Sequence, residues 1–533
     1  MKTTIKNLIL SAVLVVGGAS CVDLDTAPYD RETDLTYWEE DPEAAVKALN
    51  TCYTYLGNMD EQLYSEAMTD NAYTKQPNDF TQNIGNGSYS TADAYVKKVW
   101  DGRYTGIRMC NQLLENIDRV PDLDPELKKR YIGEAKVLRA YNYYELYTRF
   151  GDVPYTTKVL SIKESMSIAR TAKATVIANI LADLDEVING NYLPVSYDAD
   201  NKGRITRWAA MAIKAKIYLF EGNWTQVKNI TSTIMTEGGF TLFGSYAGLF
   251  EIANEYNSEV ILDVQYRPTS REHQMMYVFL PPTLGGYSQL SPLQELVDSY
   301  IMLDGKTIKE TGTSFDESHP YANRDPRLKA TVMYTGNSYT LANGTEVVIN
   351  CEKGEGKDGY GVGSDCSATG YYIKKYWDNT YRATLYSGLN PILIRYADIL
   401  LMNAEALAEL GELDKTAWDA TIKPIRNRVG FLASALEFPE GTSKDKLIEI
   451  VRNERRSELA LEGHRYKDII RWRMADKVLN GWCHGLKTGE VVGTDDGYVR
   501  VENRTFNANR HYLWPIPQAE RDLNGNLEQN PNW

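Results

Sequence analysis

The chain has 533 residues, 43% of them hydrophobic, so it can bury a large core. Its 58 basic and 72 acidic residues leave a net charge of −14, which repels phosphate backbones and anionic lipid headgroups and argues against both as partners. Tyrosine is abundant, 37 residues against 11 Phe and 10 Trp, and rings with a polar tip suit wet binding surfaces as well as helix packing.

Lys2 and Lys6, an apolar run from Leu8 to Val16, and then Gly17, Gly18, Ala19 and Ser20 read as a secretory leader. The run is too short to span a bilayer, which takes about 20 residues. Cys21 follows where the apolar segment gives way to acidic Asp23 and Asp25. This junction resembles a bacterial lipobox, with Gly18 where Leu is usual. Residues 1–20 are therefore expected to be a signal peptide and Cys21 the lipidated first mature residue, carrying acyl chains such as palmitate. No later stretch is apolar enough to cross a membrane, so the lipid is the expected attachment.

Helical patterns dominate the rest. Residues 132–155 read as one long helix, with Leu138, Tyr141, Tyr144 and Glu145 at steps of three and four, Gly151 as a C-cap and Pro154 as a stop. Further helices are predicted at 205–220, 392–410 and 445–461, ending near Gly222, Gly411 and Gly463. Small Ala residues at close spacing in three of the four let helices approach closely, as in tetratricopeptide-type hairpins, and 406–422 comes nearest to such a repeat. Long insertions at about 66–95, 240–300 and 312–385 carry Gly, Asn, Pro and Tyr, with a β-type run at 259–266. The expected architecture is mainly α: tetratricopeptide-like helix pairs forming a scaffold, with long irregular loops and minor β. Binding belongs on such loops.

Besides Cys21 there are Cys52, Cys110, Cys351, Cys366 and Cys483, with no CxxC or zinc-ligand spacing. Cys351 and Cys366 bracket a Gly-rich segment, and in an exported chain they are candidates for a disulfide. Cys52 and Cys110 fall in helical patterns as buried thiols. No metal site and no cofactor are expected.

Catalytic patterns are missing from the sequence. The five histidines, His273, His319, His464, His484 and His511, form no HExxH, and no GxSxG occurs. The Gly-rich 354–363 lacks the Gly-Lys-Ser/Thr of a phosphate loop and reads as a turn. Residues 452–471 hold Arg452, Glu454, Arg455, Glu458, Glu462, Arg465, Asp468 and Arg471, in which Arg455–Glu458, Glu462–Arg465 and Asp468–Arg471 are spaced as helical neighbours. That run is expected to be a structural lattice, not an acid/base site.

Six segments in order carry a resemblance: GEAKVLRAYNYYELYTRFGDVPY (133–155), GRITRWAAMAIKAKIYLFEGNW (203–224), RDPRLKATVMYTG (324–336), IRYADILLMNAEALAELG (394–411), RNERRSELALEGHRYKDIIRW (452–472) and YLWPIPQAERDLNGNLEQNPNW (512–533). Together they resemble the SusD/RagB-like outer-membrane lipoproteins. The resemblance implies one α-rich unit over 21–533, with a variable looped region at about 240–385. It also implies a place on the cell surface as lid over a SusC-like TonB-dependent transporter barrel, delivering oligosaccharide to it. Asp23 and Asp25 resemble the acidic export address of such lipoproteins.

Sugar recognition needs aromatic faces for the ring and amides, carboxylates or Arg for the hydroxyls. Loop candidates are Asp70, Asn71, Tyr73, Asn78, Asp79 and Phe80 in the first insertion, Tyr287 after two glycines in the second, and Trp377, Asp378, Tyr381 and Arg382 in the third. Tyr73, Tyr287 and Trp377 are expected to converge on one surface, whereas Trp100 precedes a helical run and is expected in the core. Peptide cargo on the same fold, a purely protein-binding scaffold and an extracellular glycosidase stay open as alternatives.

Overall fold

A computed structural model describes residues 33–533 except Leu35, 77–80 and 381–383. Cys21 and the leader, Asn78, Asp79, Phe80, Tyr381 and Arg382 lie outside the described residues.

The frame is helical. In chain order it comprises α1 (Ala44–Tyr53), α2 (Ala94–Asn116), α3 (Pro125–Phe150), α4 (Lys173–Asn189), α5 (Arg207–Phe220), α6 (Trp224–Glu237), α7 (Tyr396–Leu410), α8 (Lys444–Glu458) and the short α9 (Arg465–Arg471). From α1 to α8 each helix packs on the next, the contact pattern of helix-hairpin repeats that the alanine spacing predicts. Caps explain the boundaries. Asp93 accepts from the Tyr95 and Val96 amides, Asp124 from Leu127 with Pro125 behind it, Thr206 from Ala209 and Ser443 from Lys446. The long predicted helix begins seven residues earlier than its apolar spacing indicates, at the Asp124–Pro125 cap, and stops at Phe150 because Gly151 takes φ +72°. α2 and α3 approach closely at Gly106, where a Cβ would meet the Asn142 amide nitrogen at 2.9 Å. Trp100 is buried between them, edge-on to Phe150, as expected of a core residue.

Short strands accompany the frame: in the insertions β1 (Ala72–Thr74), β2 (Val260–Asp263) and β3 (Leu290–Pro292), and beyond them β4 (Ile392–Arg395), β5 (Gly481–Lys487) and β6 (Tyr498–Arg504). All pairings among them are antiparallel, β1 with β3, β2 with β4, and β5 with β6. The run predicted as β-type does form β2. Its partner corrects one expectation, because 392–395 are strand and the helix begins only at Tyr396. A short apolar run such as Ile392–Leu393–Ile394 suits either state, and the open edge of β2 decides it.

Residues 514–530 fold back onto the end of α3. The Trp514 amide donates to the Arg149 carbonyl (2.7 Å), and the Asn530 side chain donates to the Phe150 (2.8 Å) and Trp514 (2.7 Å) carbonyls. Two donors from the far end of the chain, the Trp514 amide and the Asn530 side chain, thus satisfy carbonyls at a buried helix end, and Asn530 ties the two together.

A buried ionic lattice ties the insertions to the frame. Arg395, from the end of β4, donates to Glu259 (2.7 Å), Glu458 (2.6 Å) and both oxygens of Glu462 (2.7 and 2.8 Å). Arg327 pairs with Asp325, Glu454 and Glu458, Arg428 with Glu259 and Glu458, and Lys375 with Glu462. A second cluster joins Arg455 to Asp398 and Asp468, and Lys216 to Asp398. The expected lattice therefore exists, but only Asp468–Arg471 among the three predicted helical pairs is formed; Arg455, Glu458, Glu462 and Arg465 all pair across the fold. These side chains are buried, so each charge is matched where tertiary partners converge. Burial alone would push Glu458 up; the guanidinium groups of Arg428, Arg395 and Arg327 hold it well below the usual carboxylate range.

Cys351 and Cys366 are both free thiols, which corrects the candidate disulfide. Cys351 is buried in the same core cluster as Tyr339 in the inserted region, and the Cys366 thiol donates to the Lys357 carbonyl (3.3 Å). Cys52 and Cys110 are buried thiols, as expected.

Candidate functional site

The exposed aromatic face is built on the segment 273–289. His273 anchors its start: backbone bonds to Ser387 run both ways (2.9 and 3.0 Å), and its ring packs edge-on to Tyr266. The ring bonds the Leu389 carbonyl through Nε2 (3.2 Å) while Nδ1 accepts from the Met275 amide (3.4 Å), an arrangement only a neutral imidazole satisfies. Burial lowers its pKa to about 4. The chain then makes a short helix, Met275–Phe279, turns through Pro281–Gly286 and comes back against it, with the Tyr287 amide on the Tyr277 carbonyl (2.8 Å). Gly286 is required there, since a Cβ would sit 2.0 Å from the Leu280 carbonyl oxygen.

This return stacks two rings. Tyr277 and Tyr287 lie 5.7 Å apart at 13°, and Tyr287 is 46% exposed. Tyr386, also exposed, takes a hydrogen bond from the Gln274 amide beside them. On the other flank the Lys75 amide donates to the Gln289 carbonyl (2.9 Å), and the Lys75 ammonium reaches the Cys366 carbonyl (2.9 Å) in the Gly-rich turn. Four chain segments meet here, offering a fixed ring face bordered by amide, hydroxyl and carbonyl groups. Such a surface suits the C–H face and hydroxyl edge of a sugar ring.

Of the residues predicted from sequence, Tyr287 occupies this face. Tyr73 lies on β1, whose partner strand begins three residues after Tyr287, but it is half-buried with its hydroxyl accepting from Gln82 (3.3 Å). Four expectations are corrected. Trp377 is 9% exposed, edge-on to Tyr339, with its indole N–H on the Thr340 carbonyl (2.8 Å), so it is core. Asp70 is buried and salt-bridged by Arg456 and Arg465, and Asn71 is buried between Glu66 and Arg456. Burial would raise the Asp70 pKa, yet the two guanidinium groups hold it well below the usual range. Asp378 is likewise buried, accepting from Thr380 and Ser387. Sequence reasoning missed Tyr277, Tyr386 and Gln274. Tyr277 hides in the apolar run MMYVF, and only the return of the chain at Tyr287 reveals the ring stacked on it.

The family model described as "SusD family" matches residues 249–533, and one described as "Starch-binding associating with outer membrane" matches 33–219. The chain belongs to the SusD family. SusD-like protein P25 of Formosa agariphila is 26% identical over 508 residues, 88% of this chain and 90% of that protein. Among solved structures, a SusD-like carbohydrate-binding protein of Bacteroides fragilis is 28% identical, covering 92% of this SusD-family chain and 100% of that one, with a TM-score of 0.82. A second SusD-like protein of that species is also 28% identical, covering 95% and 100%, at a TM-score of 0.81.

Proposed function

We propose that this SusD-family chain is a non-catalytic glycan-binding lipoprotein, held on the outer face of the outer membrane through Cys21, that delivers oligosaccharide as lid subunit to a SusC-like TonB-dependent transporter barrel. The observation that carries the binding reading is the exposed Tyr287 ring, backed by the half-buried Tyr277 stacked on it, with its polar border. The carbohydrate-binding relative from Bacteroides fragilis supports it. The non-catalytic reading is supported by Glu454, Glu458, Glu462 and Asp468: the carboxylates of the acid- and arginine-rich run are each locked into buried ion pairs, with no proton to exchange with a substrate. The test is affinity electrophoresis of the purified mature protein through gels containing laminarin, starch or xylan. Retardation by at least one polysaccharide, with no shortening of its chains over hours, is the expected result. Free migration through all three would sink the reading. Co-purification of the barrel with the tagged lipoprotein tests the partner.

A further inference from the structure

The segment 315–336 and the β5–β6 hairpin enclose a second concavity of about 550 Å³, and none of its lining residues belongs to the Tyr277–Tyr287 face. That volume falls within the roughly 300–1,000 Å³ of small-ligand sites. Its wall is aromatic. Tyr321 and Tyr334 stack at 3.9 Å and 18°, and Phe315 and Tyr498 also line it.

Behind the wall the floor is fixed. Arg324 donates to the carbonyls of Tyr300 (2.7 Å), Val297 (2.6 Å) and Pro320 (2.8 Å), leaving it structural. A polar chain then runs along the cleft. The hydroxyls of Tyr321 and Tyr371 meet at 3.3 Å, Tyr371 donates to Gln294 (2.6 Å), and Gln294 donates to the Asp298 carboxylate (2.7 Å). At the exposed mouth Lys487 pairs with Glu317 (3.0 Å).

The chemistry selects among ligands. Flat rings offer a face to apolar C–H groups, and the carboxylates of Asp298, Glu317 and Glu352 accept hydrogen bonds from hydroxyls. An acidic ligand would face these carboxylates. A cationic one would find cations already at two rings, Arg324 over Phe315 (5.5 Å) and Lys487 over Tyr498 (5.3 Å). We propose that this cleft is a second saccharide site, taking one neutral sugar unit. It goes beyond the Tyr277–Tyr287 reading, since its residues come from other elements.

The test uses a double variant, Tyr277→Ala with Tyr287→Ala, so that the first face is disabled. D-glucose, D-galactose, D-mannose and D-xylose are each examined by saturation-transfer NMR at millimolar concentration. At least one sugar gives a signal with the double variant, and that signal falls at least fivefold when Ala322→Trp is added. Ala322 is exposed and lines the cleft, so the indole fills it while the fold is kept. Tyr498→Ala, which removes a wall instead, lowers the signal in the same sense. No signal from any sugar in the double variant, or a signal that survives either change, overturns the proposal. The first face stands or falls separately, on whether Tyr287→Ala alone weakens oligosaccharide binding.

Discussion

Arg465 grips Asp70 with two parallel contacts, Nε to Oδ1 at 2.8 Å and Nη2 to Oδ2 at 2.9 Å, although the two residues are 395 positions apart. Arg456 adds a third contact at 3.0 Å. The pair is desolvated, so removing the carboxylate strands two buried guanidinium groups. Asp70→Ala is expected to cost about 3–5 kcal/mol of stability. Thermal unfolding checks this, and oligosaccharide affinity measured well below the melting point should stay within about twofold of the parent. A normal melt with lost affinity would return Asp70 to the binding site.

Tyr287 and Trp377 should behave oppositely. Stacking of one sugar ring on an aromatic face is worth on the order of 1 kcal/mol, so Tyr287→Ala weakens oligosaccharide binding about fivefold with an unchanged melt. Trp377→Ala instead loses about 3–5 kcal/mol of stability by opening a core cavity. Calorimetric titration and melting curves on the two variants separate the outcomes. The affinity should also vary little with salt, because neutral hydroxyls carry no long-range charge.

His273 supplies a pH test. Burial lowers its pKa to about 4, outweighing Asp378 and Glu272, against roughly 6.5 in the unfolded chain. Between those values the unfolded state binds the extra proton, so this contribution is intact above about pH 6.5 and is lost as pH falls toward 4. At pH 4.5 the loss is about 2 kcal/mol. His273→Gln lacks it, so the stability gap between parent and variant, read from urea unfolding, narrows by that amount from pH 7.5 to 4.5. An equal gap at both values would show that His273 does not stay neutral.

The thiols of Cys351 and Cys366 are free. Unfolding without reductant in the presence of iodoacetamide should yield peptides alkylated at both positions. In the folded protein Cys351 should react slowly, since burial pushes its thiol well above the ordinary range. A peptide pair joined by a bridge would contradict the structure.

Cys21→Ala should move the protein from the membrane to the soluble fraction in cells lacking the transporter. Retention on the membrane would exclude Cys21 as the anchor.

Much of the helical frame is legible in the sequence, because apolar spacing and the glycines at 151 and 411 mark helices and their ends without outside help. Strand β4 is less so: its identity depends on β2, some 130 positions earlier. The charges of 452–471 show that a lattice exists but not its partners, since Asp70, Asp398 and Arg395 reach those residues only in the fold. Tyr287 can be found because two glycines expose it. Trp377 looks the same in a loop-like stretch, and only its packing against Tyr339 shows that it is covered.

The return of residues 514–530 onto α3 has a bearing on how the molecule is made. A polypeptide synthesised amino end first completes α3 hundreds of residues before Trp514 and Asn530. Until then the Arg149 carbonyl waits for its donor, the Phe150 carbonyl has Arg170 (3.2 Å) but not Asn530, and the side of Phe150 that Trp514 covers stands open. Completion of the end of α3 is therefore timed by the arrival of the far end of the chain, so that a molecule stalled or clipped before that point keeps an exposed apolar seam for chaperones and proteases to find.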